Sequence, residues 1–77
     1  MKVLITSSFY SEYELYETNN VNGLKNYAAL MVQNIDVDLD ENQYKLLGYR
    51  DTLETQEAIE QADEIIYIDE IAANMGL

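Results

Sequence analysis

A chain of 77 residues makes one domain at most, here taken as 1–77, and a body of that size buries only about 60% of the surface its unfolded form exposes. Cysteine and histidine are absent, which removes disulfides, thiolate zinc sites, thiol nucleophiles and the side chain that titrates near neutrality. Fifteen acids against four bases leave a net charge of −11, yet 48% apolar residues, seven tyrosines and no proline do not make a disordered acidic tail.

The chain begins "MKVLITSSFY", where the apolar run Val3, Leu4, Ile5 is too short for a signal-peptide core or a membrane span. A cytoplasmic location with no membrane partner is expected. "KVLIT" is aliphatic and β-branched and "YELYET" alternates tyrosine or leucine with acids, so strands are predicted over 2–8 and 13–18. A hairpin with its turn near Phe9 to Glu12 is the simplest link. The spacing Phe9, Tyr13, Tyr16 also fits one helical face, so strand and helix compete over 9–18.

From Val21 the apolar positions Val21, Leu24, Ala28, Met31 and Ile35 step by three and four, with Asn20 or Asn22 available as a cap. That pattern predicts an amphipathic helix over 21–33. The period then changes in "NIDVDLDENQYKLL", where Ile35, Val37 and Leu39 alternate with Asp36, Asp38 and Asp40. A half-buried strand over 35–39 is predicted, with three carboxylates on its wet face about 7 Å apart. "DENQ" then turns the chain into a second arm over 44–50, or else a short helix capped by Asp40, with Gln43 three residues on, takes its place. Asp51 and Glu54 resemble a capping box that opens a helix over 52–62 and buries Leu53, Ala58, Ile59 and Ala62. "EIIYID" predicts a strand over 64–68. Ile65, Ile68, Ala72 and Met75 also step by three and four, so a helix continuing to Met75 competes with it.

The three alternating aspartates invite a calcium reading. An EF-hand loop starting at Asp36 matches its first three ligand positions, but Glu41 stands where the turn needs glycine and Leu47 where it needs a bidentate glutamate. No metal site and no cofactor is therefore expected. Catalysis is not expected either: no base accompanies Ser7 and Ser8, and the three glycines are isolated. A second signal is the row Asp51, Glu54, Glu57, Glu60. No lysine or arginine follows Glu54, Glu57 or Glu60 at three or four positions, although an ordinary solvated helix face mixes signs. Tyr27 and Tyr67 fit core or core-edge positions, whereas Tyr10, Tyr13 and Tyr16, set among Glu12, Glu14 and Glu17, suit contact with an arginine-rich partner.

In size, charge and lack of cysteine the chain resembles the small, strongly acidic phage-encoded inhibitors, the anti-CRISPR and anti-restriction proteins, several of which act as DNA mimics. The resemblance lies in this profile and in no motif. It implies inhibition by occupying the basic groove of a nucleic-acid-binding defence complex, with no direct binding of nucleic acid. Regularly spaced anions present such a groove with the target that phosphates would.

The expectation is an α+β domain: a small, mostly antiparallel sheet of three to five strands, covered on one face by two helices, 21–33 and 52–62. Glu12, Glu14, Asp36, Asp38, Asp40, Glu54, Glu57 and Glu60 are the candidate partner-binding residues, as phosphate surrogates. The alternative is a protein–protein interaction or assembly module whose acids only solubilise it.

Overall fold

A computed structural model describes residues 1–77 and shows a four-stranded mixed sheet with three helices. In chain order the elements are β1 (Lys2–Thr6), β2 (Tyr13–Glu17), α1 (Val21–Val32), β3 (Lys45–Tyr49), α2 (Thr55–Gln61), β4 (Glu64–Tyr67) and α3 (Ile68–Asn74). The strand order is β3-β2-β1-β4, with β1 antiparallel to β2, β2 antiparallel to β3, and β1 parallel to β4. The α+β class and the mostly antiparallel sheet are as the sequence predicts. No helix is long and apolar enough to cross a membrane.

The alternation of β1 sorts the core into two layers. Val3 and Ile5 point to a front layer with Tyr16, Ile66, and Leu24 and Ala28 of α1; Leu4 points to a back layer with Tyr13, Leu15 and Ala58 of α2. The sheet is therefore covered on both faces. Two helices do share the front, but they are α1 and α3, for Ile68 and Ile71 of α3 pack on that cluster while α2 lies behind. The expectation that 21–33 and 52–62 lie on one side is corrected: β1 is buried on both faces, so each needs its own cover.

Helix α1 begins where the Asn20 side chain accepts a hydrogen bond from the Gly23 N–H at 3.0 Å. It ends in a Schellman motif. Asn34 takes a left-handed φ of 60°, its N–H donates to the Met31 carbonyl, and the Ile35 N–H reaches back to the Leu30 carbonyl at 3.0 Å. The chain leaves this stop along the front of the molecule, and here the structure corrects the sequence reading. Residues 35–40 form no strand, and Ile35 and Val37 are 46% and 38% exposed. The strand beside β2 is β3, and the alternating segment pairs with neither outer edge of the sheet. Of its aliphatic residues, Leu39 packs against the front core.

Asp40 then closes a turn over 41–43, accepting from the Asn42 N–H and Gln43 Nε2, rather than capping a helix. Tyr44 docks onto α1 against Gly23: a Cβ there would lie 1.8 Å from the Tyr44 hydroxyl, so a larger residue would displace the ring. The capping box predicted at Asp51 is absent. Residues 50–53 are a turn tied by Thr52, whose hydroxyl accepts from the Tyr49 N–H at 3.0 Å, and α2 starts three residues later than predicted with Glu54 at its N-cap making no side-chain bond. Residues 64–74 contain both competing elements in succession, a strand and then a helix.

Candidate acidic interface and the open part of the sheet

The eight candidate residues fall in three places. Glu12 is exposed in the β1–β2 loop, and Glu14 is half-buried on β2. Asp36, Asp38 and Asp40 are exposed on the irregular front segment, and Glu54, Glu57 and Glu60 are exposed along α2 at the back. The sheet separates the last two groups, so a flat partner surface meets one of them at a time. No three carboxylates are grouped as ligands for one cation.

Charge is distributed unevenly along the chain. Eight acids and no base follow Arg50, giving 51–77 a charge of −8, whereas the first fifty residues carry seven acids and all four bases. In the fold, residues 51–77 supply α2 at the back of the sheet, with Glu57 and Glu60, and the edge strand β4 and α3 at the front, with Glu64, Asp69 and Glu70. Lys25 of α1 shares a shallow depression there with Glu64 and Glu70. Glu64 Oε2 is buried there with no hydrogen-bond partner, whereas Asp63 accepts from the Lys2 backbone N–H at 2.8 Å, and Glu60 from Gln56 Nε2 at 3.2 Å. Asp69 accepts from both the N–H and the hydroxyl of Ser8, and these bonds hold its carboxyl below the usual carboxylate range.

Glu14 has a different setting. Cross-strand pairing puts Ile66, Ile5, Glu14 and Tyr49 in one row on the front of the sheet, so a carboxylate interrupts an otherwise apolar row. Tyr16 donates to it at 2.9 Å and Tyr27 at a longer 3.5 Å, and the two rings meet edge to face with centroids 6.4 Å apart. Burial, then the charge of Glu14, pushes the Tyr16 phenol far above its ordinary value; the same two causes raise Tyr27. Both phenols thus stay protonated as donors well into alkaline conditions. Beside Glu14 the sheet carries no helix. An open groove of about 600 Å³ remains, floored by Ile5, Glu14 and Leu46, flanked by Met31 and Ile68, and rimmed by Glu12, Arg50 and Asp51.

Tyr13 and Tyr16, expected as contact aromatics, are core residues at 4% and 6% exposure, because they face opposite layers of the central strand β2. Tyr13 donates to the Leu53 carbonyl and so pins the turn before α2. Sequence reasoning missed the most exposed aromatic, Phe9, which is 87% exposed at the tip of the β1–β2 loop. The loop is braced around it by the Ser8–Asp69 bonds and by a Tyr10–Tyr67 hydroxyl contact at 2.8 Å. A lone phenylalanine inside "TSSFYSE" was the available signal. Comparison with protein-family models, with curated proteins and with solved structures yields no match.

Proposed function

We propose that the protein acts by binding, as an acidic inhibitor that occupies the basic groove of a nucleic-acid-binding complex, with carboxylates standing in for phosphates. The observation that carries this reading is the run of 51–77, eight acids without one lysine or arginine, folded into ordered elements, α2, the edge strand β4 and α3. On α2, Glu57 and Glu60 are three residues apart with about 4.5 Å of rise between them, and like charges at that spacing cost a few tenths of a kcal/mol. A cationic surface would relieve that repulsion, and a phosphate-binding groove supplies one. Glu54, Glu57 and Glu60 are the leading contacts, with the front aspartates Asp36, Asp38 and Asp40 reached only by a partner that wraps around β3.

The test is capture of a partner from a host lysate, with elution by duplex DNA and, separately, by graded salt. The reading expects a nucleic-acid-binding protein that is released by DNA and by moderate salt, and whose retention falls by at least about tenfold for Glu57→Lys/Glu60→Lys, because affinity built on ion pairs is screened. A partner indifferent to both eluents would overturn it. That outcome would favour the second reading, an apolar interaction module, for which the exposed Phe9 on its braced loop is the supporting feature.

A further inference from the structure

The groove beside Glu14 has three properties that together select one kind of occupant. Its floor is apolar on both sides of a carboxylate, for Ile5 and Tyr49 are the cross-strand neighbours of Glu14. Its rim adds Glu12 and Asp51 against the single cation Arg50, so the lining is net anionic. The third property is unused acceptor capacity: a carboxylate offers about four lone-pair positions, and the two tyrosine hydroxyls take one on each oxygen of Glu14. A ligand for such a groove needs an apolar stem, a cationic head and several donors. Side chains of lysine and arginine have the first two, and arginine alone brings a planar fork that meets a carboxylate with two parallel bonds and stacks on an aromatic ring.

We propose that this groove receives an arginine side chain of a protein partner, its stem lying on Ile5, Met31 and Leu46 and its guanidinium meeting Glu14. Tyr49, 42% exposed, offers a ring for stacking, and Glu12 and Asp51 complete the charge balance at the rim. Glu14 is thereby explained. Its tyrosine donors aim the carboxylate and reduce the cost of keeping it on an apolar row, and the incoming guanidinium replaces the water lost when the groove is filled. The inference rests on the proposed function for the partner being a basic protein; the groove itself is tested independently of any partner.

The probe is the tripeptide acetyl-Gly-Arg-Gly-amide, compared with its lysine counterpart at one ionic strength, on the full chain labelled at its methyl groups. The expected result is saturable shifts confined to Ile5, Met31, Leu46 and Ile68. Binding of the lysine peptide should be at least about fivefold weaker, since an ammonium cannot form the fork. Glu14→Gln should weaken the arginine peptide by a similar factor, and Glu17→Gln, at the other end of β2 and outside the groove, should not. Equal response to the two peptides, shifts spread over all acidic segments, or no saturable binding of either would overturn the proposal, and the unmodified chain decides this even if Glu14→Gln fails to fold. The two readings fail separately. If a captured partner binds Glu14→Gln undiminished yet is released by DNA, the inhibitor stands and the groove falls; if the groove takes arginine while the captured partner ignores DNA, the reverse holds.

Discussion

Helix α2 and the segment 35–40 both carry exposed acids at regular intervals, yet they are held in different ways. Ala58 at full burial and the half-buried Leu53, Ile59 and Ala62 seat α2 and its flanks on Leu4, Tyr13 and Leu15. Segment 35–40 has Leu39 as its one residue on the core. Its other aliphatic residues lie open beside the aspartates. Alternation of apolar and charged residues makes a strand only where the segment pairs with a sheet edge; unpaired, the same pattern is here an irregular cover with a single foothold. Hence the glutamates of α2 form a fixed row, and the aspartates do not.

The largest effect should come from removing the base of α2. Leu15 is fully buried under it, and Leu15→Ala is expected to cost about 3 kcal/mol, a large share of the stability of so small a domain. Urea denaturation followed by tyrosine fluorescence measures it, and a cost under about 1 kcal/mol would mean that the back layer is not close-packed. Next comes alkaline pH. The raised Tyr16 phenol binds its proton more tightly folded than unfolded, so stability is complete below the ordinary tyrosine value near 10 and falls as pH rises above it. Tyr16→Phe should flatten that slope. Smaller still is Val37→Ser, expected to cost under about 0.5 kcal/mol because Val37 is already 38% exposed; a half-buried strand residue would cost two to three times as much. The smallest change is Glu60→Lys, which removes a like-charge neighbour of Glu57 and places a cation near the C-terminus of α2, for a gain of a few tenths of a kcal/mol that fades in salt.

Local signals in the sequence carried far, and non-local ones did not. The 3.6 period with Asn20 in front marked α1 to within a residue of its end, and β1, β2 and β4 were legible from their β-branched and aromatic runs because each is short and bounded by polar residues. The parallel pairing of β1 with β4 was not, since nothing near Val3 or Glu64 in the chain records that the two meet. That pairing decides which helix takes which face, and so the placement of the acids followed it out of reach. Of the candidate residues, Glu57 and Glu60 could be placed as an outward helical row from spacing alone. Glu14 looked like one more acid among tyrosines, because its difference from Glu12 lies in the cross-strand neighbours Ile5 and Tyr49.

The pairing of Val3 with Glu64 and of Thr6 with Tyr67 also orders events during synthesis. The hairpin of β1 and β2 emerges from the ribosome early, but Leu4 and Ile5 keep one bare flank until some sixty further residues have been added. The nascent chain must therefore carry a sticky strand through most of its translation. Repulsion between unfinished copies gives it little cover over that stretch, because the first fifty residues carry seven acids against four bases and the dense negative charge arrives only with 51–77, together with β4.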